Sequence, residues 1–184
     1  MEFQEKMLLT STDLKECHIM GKETSWTKHT DMNQKRAVAS STVINNYLWV
    51  TGGFDENSNL LKTTEKIYSN GTVEPGINLP FPVRAHCMVN HGNIVYMLGG
   101  WGEGGDGNTK DVLIFVPEEG VTHSVGKPMS RYRSYFTCGL FYSKVHSNRP
   151  IMVAAGNGGP FAEGRKTGEF WDFTNPQATW QPSK

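Results

Sequence analysis

The amino-acid sequence has little of what marks several common functional classes. Among its 184 residues, 18 Lys and Arg balance 18 Asp and Glu, so the formal net charge is zero. Proteins that hold nucleic acid by bulk electrostatics usually carry a basic excess, and we therefore expect no nucleic-acid partner. No apolar stretch approaches the roughly 18 residues of a membrane-spanning helix, and Met1–Met20 lacks a signal-peptide core. We expect no membrane insertion, a cytoplasmic chain by default, and an extracellular one if the sequence is truncated.

Cysteine is also scarce, and the usual patterns of catalytic and metal sites are missing. Three cysteines, Cys17, Cys87 and Cys138, do not make a disulfide framework. At most one pair could form with one thiol left over, and we predict that Cys87 and Cys138 are free thiols packed in the core. His86 and Cys87 are neighbours on a predicted strand, so they point to opposite faces and cannot share one metal ion. The glycines of residues 102–107 are not followed by the Lys-Ser/Thr of a phosphate loop. We predict no catalytic residue, no metal and no cofactor.

What the sequence does contain is a repeat built on glycine and aromatic residues. The 20 Gly, 9 Phe, 6 Tyr and 5 Trp suit short strands joined by tight turns. The doublets Gly52–Gly53 and Gly99–Gly100 each end an apolar run and lie 47 residues apart, and a third such run ends in Gly156. Upstream of these runs stand Arg36, Arg84 and Arg133, spaced by 48 and 49 residues. Self-similarity at such a period predicts an architecture of repeated structural units.

Two further features complete the unit. Glu65–Tyr68 and Glu169–Asp172 suit a third strand, and Trp26 and Trp180 suit a fourth. The combined pattern resembles the kelch repeat over residues 11–181. Departures from it are Val112, which we place at the glutamate position, and Ala155, which we place at the first glycine. Within the kelch repeats, residues 84–89 and 138–140 are similar to strands of uncharacterised invertebrate kelch proteins.

The kelch resemblance implies an all-β fold, a partial kelch-type β-propeller of about three and a half four-stranded blades. The boundaries we predict are 11–34 for the outer strands of an incomplete blade, then kelch blades at 35–83, 84–132 and 133–184. Propellers close with about four to eight blades, so the chain is expected to be a fragment of a larger propeller. The incomplete blade leaves the inner edge of Glu16–Met20 unpaired, and the end blades leave bare faces. We therefore expect the isolated chain to self-associate.

Function in such a frame is expected in the loops of one rim. The candidate partner-binding residues are Arg36, Arg84, Trp101, Arg133 and Phe161. The resemblance implies a protein-interaction scaffold, not an enzyme, with a protein partner of unknown identity. The alternative is a propeller enzyme or carbohydrate-binding module with a site at the channel mouth, near Arg84, Trp101 and Asp106. For each candidate a structural role is open as well, since the family's arginines tie blades together and aromatic residues often pack over a neighbouring blade.

Overall fold

Short apolar runs separated by glycine and asparagine turns give an all-β fold, and the part of the chain that the structure describes contains no helix. The computed structural model describes residues 8–10, 13–20, 23–102, 107–119, 121–142, 149–156 and 167–183, without the side chains of residues 8–27, 108 and 121–125. These residues form sixteen strands in antiparallel sheets, so the all-β prediction is confirmed. The strands are β1 (Leu8–Thr10), β2 (Asp13–Met20), β3 (Glu23–Asp31), β4 (Ser40–Ile44), β5 (Tyr47–Thr51), β6 (Thr64–Tyr68), β7 (Val73–Pro75), β8 (Val83–Arg84), β9 (Cys87–His91), β10 (Ile94–Gly102), β11 (Asn108–Val116), β12 (Val121–Val125), β13 (Phe136–Tyr142), β14 (Pro150–Gly156), β15 (Gly168–Trp171) and β16 (Gln181–Pro182).

The strands group into four sheets in which neighbours in sequence are neighbours in space. The N-terminal sheet is β1-β2-β3, the first full sheet is β4-β5-β6-β7, and the last sheet is β13-β14-β15-β16. In the middle sheet the order is β12-β11-β10, and both β8 and β9 pair with β10, so these two short strands form one interrupted edge. Each full sheet is therefore an up-and-down arrangement, the simplest connection that antiparallel strands allow.

Apolar layers hold neighbouring sheets face to face. Between the first full sheet and the middle sheet, Trp49 meets Phe115 with ring centroids 5.7 Å apart. Between the middle and last sheets, Tyr96 meets Trp171 at 6.3 Å, and the indole of Trp180 donates a 2.8 Å hydrogen bond to the Lys127 carbonyl. These layers are the two larger cores among the described residues, and the middle sheet contributes apolar residues to both of them from its two faces.

The glycine doublets lie where the backbones of neighbouring sheets approach most closely. Gly52 and Gly99 have φ of 61° and 56°, which is left-handed backbone that favours glycine. A Cβ at Gly52 would overlap the carbonyl oxygen of Val83, and one at Gly99 would overlap that of Arg133. Any side chain at these positions would therefore clash with the backbone of the next sheet.

A disulfide joins Cys87 to Cys138, so the prediction that both are free thiols is wrong. Cys87 lies on β9 and Cys138 on β13, the edge strands by which the middle and last sheets contact each other. Their Cα atoms are 6.0 Å apart, within the usual range for a bridge. Adjacent edge strands of two packed sheets bring the two sulfurs together, which the prediction of independent apolar packing did not take into account.

The two ends of the described chain differ in how their strands are covered. In the N-terminal sheet, β1 pairs with β2 only from Leu8↔Lys15 to Thr10↔Asp13, and no other described strand pairs with that edge of Glu16–Met20. In the last sheet, the face turned away from the middle sheet carries an open groove of about 480 Å³. Its lining is Thr137, Cys138, Gly139, Leu140, Phe141, Val153 and Ala155.

Candidate functional site

The loops that follow the glycine doublets and the links between sheets lie together at one edge of the sheets, the edge formed by the ends of the strands. The Leu79 amide donates to the Lys62 carbonyl at 2.7 Å, and the Met129 amide donates to the Lys110 carbonyl at 2.8 Å. We call this edge the rim and define it as the described residues of 32–38, 52–63, 76–85, 100–110 and 127–135. The described loops and links therefore share one edge. Phe161 lies outside the described residues.

Arg36 is a buried structural tie within the rim. Its side chain is only 1% exposed, and Nη2 donates to Oε1 of the buried Glu65 at 2.8 Å. Nη1 donates to the Gly52 carbonyl at 2.8 Å, which fixes the end of β5. Glu65 in turn accepts from the amides of Asn33 and Gln34 at 2.7 and 3.1 Å. The ion pair therefore fastens the link before the first full sheet to the strands of that sheet.

Arg133 repeats this arrangement in the last sheet. Its Nε donates to Oε1 of Glu169 at 2.8 Å, and both side chains are 1% exposed. Its Nη1 donates to the Gly156 carbonyl, and Glu169 accepts from the amide of Ser130 at 2.7 Å. Partner binding by Arg36 and Arg133 stays a prediction that these contacts do not favour, because both guanidiniums are buried and each is paired with a glutamate. The structural role considered beside it is the one that these contacts support.

Arg84 is not the third member of this set, although its spacing suggests that it is. In the first full sheet, Ala37 exchanges backbone hydrogen bonds with Phe54, and in the middle sheet Arg84 pairs with Trp101 in the same way. Arg84 thus corresponds to Ala37, and the residue before it, Val83, corresponds to Arg36. Since strand residues alternate between faces, a shift of one position sends the arginine side chain to the opposite side.

The middle sheet accordingly replaces the buried ion pair with two apolar residues. Glu65 faces Val50 across β5 and β6, and Leu113 faces Met97 at the matching position across β10 and β11. Val83 and Leu113 are 0% and 6% exposed and belong to one apolar cluster. The glutamate position is therefore Leu113 and not Val112, as the sequence pattern had suggested. In the last sheet, the hydrogen bond from Arg133 likewise puts Gly156, not Ala155, at the first glycine position.

The displaced arginine lies against two aromatic rings at the rim. Its Cζ is 4.4 Å from the ring centroid of Trp101 and 5.3 Å from that of Phe54, both within cation–π range. Gly107, at φ 72°, backs the Trp101 indole so closely that a Cβ there would overlap it. Among the described residues the Arg84 guanidinium has no hydrogen-bond partner and no carboxylate partner, and its Nε is buried. We call Phe54, Arg84 and Trp101 the Arg84 sandwich.

Exposed tyrosines and further cations continue the rim beyond the Arg84 sandwich. Tyr132 and Tyr135 are 54% and 55% exposed, and Lys110 lies over the Tyr132 ring at 5.7 Å from its centroid. Arg131 is exposed as well. Phe54 and both tyrosines were not among the residues predicted from the sequence. One sequence signal did point to Phe54, because an aromatic residue follows each glycine doublet, Phe54 after the first and Trp101 after the second.

His86 is buried beneath the rim and is held as a neutral group. Its ring Nε2 lies 2.7 Å from the hydroxyl oxygen of Thr51, and its Nδ1 is buried without a hydrogen-bond partner. Desolvation by burial lowers the pKa of His86 from the ordinary 6.5 to about 3. The folded protein therefore holds this imidazole in its uncharged form near neutral pH.

Acidification should consequently destabilise the protein in a defined range. Above pH 6.5 His86 is neutral in both states, whereas below it only the unfolded state takes up the proton, until the folded pKa of about 3 is reached. The free energy of unfolding should thus fall by about 1.4 kcal/mol between pH 7.5 and 5.5. Urea unfolding at both values measures it, and a His86→Gln variant, which cannot titrate, should lose most of the difference. An equal fall in that variant would assign the effect to other groups.

The described residues contain neither a metal-binding cluster nor a membrane-spanning helix. No group of three or more His, Cys, Asp or Glu side chains there is arranged to hold a metal ion. Nor does any helix among them have the length and apolar character needed to cross a membrane.

The structural comparison supports the fold, and none of the comparisons identifies a family. No family model matches the chain. The "Spermatocyte protein spe-26" of Caenorhabditis elegans is 28% identical over 82 residues, which are 44% of this chain and 14% of that protein. The solved structure of YjhT matches with a TM-score of 0.71 at 15% identity, over 95% of this chain and 59% of that one. The chain thus spans less than two thirds of both, and a likeness at 15% identity shows the fold alone.

Proposed function

We propose that the chain is part of a kelch-type β-propeller, about three and a half blades at the boundaries given above, that serves as a protein-interaction scaffold. Three features support the propeller: successive up-and-down sheets packed face to face, glycine doublets against the next sheet, and buried Arg–Glu ties in two of the sheets. In a closed ring, a further blade would cover the apolar groove on the last sheet.

The observation that carries the scaffold role is the composition of the rim. The Arg84 sandwich, Tyr132 and Tyr135 place arginine and aromatic side chains, the types enriched at interaction hot spots, on loops of a rigid frame. The loops are held by backbone hydrogen bonds and buried ion pairs, so a partner meets a surface that is already ordered.

The rim supports an enzyme or a carbohydrate site less well. Sugar rings stack on open aromatic faces, but the Arg84 guanidinium lies over the rings of Phe54 and Trp101. The imidazole with a displaced pKa, His86, is buried under the rim and not in an open cleft. Convergent reactive groups in a cleft would favour catalysis, and the described groups do not converge in this way.

Replacing the exposed tyrosines of the rim tests the scaffold role. The double variant Tyr132→Ser/Tyr135→Ser removes two aromatic side chains from the rim. Each is about half exposed, so the substitutions do not open the core. The matched control is Tyr142→Ser, which removes a 61% exposed tyrosine at the other end of β13, at the opposite edge of the last sheet. With the whole chain immobilised as bait, quantitative mass spectrometry should find proteins retained by the wild type and the control. The rim variant should retain them at least about tenfold less.

Two results would contradict the scaffold proposal. One is a captured set that the rim variant and the Tyr142→Ser control lose equally, because binding would then not depend on the rim. The other is a captured set that neither variant changes, since these tyrosines would then contribute nothing to recognition.

A further inference from the structure

We propose that the Arg84 sandwich is a receptor for a single carboxylate, supplied by a glutamate or aspartate side chain in an exposed segment of a protein partner. The inference deepens the scaffold role and rests on it, because the carboxylate belongs to the scaffold's partner. It concerns a different group of residues from the tyrosines used to test that role.

No carboxylate among the described residues compensates the charge of Arg84. Arg36 and Arg133 each meet a buried carboxylate at 2.8 Å and further carbonyl oxygens. Arg84 is partly buried, yet no described carboxylate lies within ion-pair distance of it, and its buried Nε has no acceptor. Withdrawing a cation from water without pairing it costs free energy, which an incoming anion would recover.

The Arg84 guanidinium is held in a geometry that suits a carboxylate. The rings of Trp101 and Phe54 restrict its position, at 4.4 and 5.3 Å from Cζ to the two centroids. Because Nε is buried, the two terminal nitrogens are the ones left to donate. A planar fork with two parallel N–H groups matches the two oxygens of a carboxylate, and holding it beforehand lowers the entropy lost on binding.

The single positive charge of Arg84 matches the single negative charge of a carboxylate better than that of a phosphate dianion. One guanidinium balances one carboxylate, whereas a phosphate dianion usually needs several cations or a nest of backbone amides.

Lys110 and Arg131 lie on the same rim, and no described carboxylate pairs with either of them. These two cations add a positive field that would attract an acidic segment. The rim differs in this respect from the chain as a whole, whose formal net charge is zero.

Peptide binding by the whole chain tests the assignment. The probes are a blocked Gly/Ser peptide with two central glutamates, the same peptide with glutamines, and inorganic phosphate alone, each titrated at low ionic strength. The readouts are fluorescence anisotropy for the labelled peptides and the arginine Nε–Hε resonances in NMR spectra for all three probes. We expect the glutamate peptide to bind at least about tenfold more tightly than the glutamine peptide and to shift the Arg84 resonance.

Variants distinguish recognition by the Arg84 guanidinium fork from attraction by positive charge in general. Arg84→Met keeps the apolar stem between the rings and should weaken binding of the glutamate peptide about tenfold or more. Arg84→Lys, which keeps the charge without the fork, should lose most of the affinity too, and the matched control Arg131→Met should retain it within about twofold. Thermal unfolding of each variant checks that the fold is kept.

Each contrary result overturns the inference. Equal binding of the glutamate and glutamine peptides would exclude carboxylate recognition, and a shift of Arg84 by phosphate alone would assign the site to phosphate. Equal losses in Arg84→Met and Arg131→Met would reduce the effect to bulk charge. These failures leave the tyrosine experiment untouched, because a partner lost by Tyr132→Ser/Tyr135→Ser but not by Arg84→Met would still be a scaffold partner recognised by other chemistry.

Discussion

Replacing Glu169 with alanine should lower the free energy of unfolding by about 3–5 kcal/mol, because it leaves a buried charge without its partner. The carboxylate is 1% exposed, and it accepts from Arg133 and from the amide and hydroxyl of Ser130. All three donors would lose this acceptor at once, and the Arg133 guanidinium would stay buried without a carboxylate. Urea unfolding of the variant and the wild type at pH 7.5 measures the difference.

The chain itself provides the control for this prediction. At the equivalent positions the middle sheet holds Val83 and Leu113 in an apolar cluster, so the double variant Arg133→Val/Glu169→Leu copies a solution that already exists. It should recover a large part of the stability lost by Glu169→Ala, since apolar replacement of a complete buried pair is often close to neutral. A double variant less stable than Glu169→Ala would contradict this account and would show that Arg133 acts mainly through its carbonyl acceptors.

The two kinds of sheet suggest what each arrangement is for. Where the Arg–Glu pair is present, the glutamate binds amides of the preceding link, at Asn33 and Gln34 or at Ser130. Where it is absent, the link before the middle sheet is held by backbone bonds such as Leu79 N to Lys62 O, and by the apolar cluster around Val83 and Leu79. The middle sheet can therefore do without the ion pair, and an arginine one residue later is free for a role at the surface.

Much of the architecture could be read from the sequence because it depends on local chemistry. Apolar runs that end in glycine doublets place the inner strands, since only glycine fits where two backbones meet in left-handed conformation. The turn at Asn45–Asn46, with φ of 48° and 63°, follows from asparagine's tolerance of that region. Such signals need no knowledge of distant contacts, and for that reason they predicted the sheets well.

The candidate site was harder to predict because it depends on register. Arg36 lies 16 residues before Gly52, whereas Arg84 lies 15 residues before Gly99, and this single residue turns the side chain to the other face. The near-constant spacing of the arginines hid the difference. Measuring each arginine from its own glycine doublet would have revealed it, although the flanking ring of Phe54 comes from another sheet and has no sequence signal of its own.

Breaking the disulfide between Cys87 and Cys138 should lower the free energy of unfolding by about 4 kcal/mol, as expected for a bridge that closes a 51-residue loop. It ties β9 of the middle sheet to β13 of the last sheet, whose other face carries the open groove. The double variant Cys87→Ser/Cys138→Ser, unfolded in urea beside the wild type, measures the loss. Cys17→Ser is the matched control, because it removes the third cysteine and leaves the bridge in place, and it should unfold close to the wild type.

Counting thiols decides independently whether the bridge forms. Titration of the denatured, unreduced protein should find one free thiol of the three cysteines, and all three after reduction. Three thiols before reduction would contradict the bridge and return Cys87 and Cys138 to separate packing. One thiol together with an unchanged stability of the double variant would keep the bridge but contradict its stabilising role, since the packing of Tyr96 against Trp171 would then suffice to hold the last sheet in place.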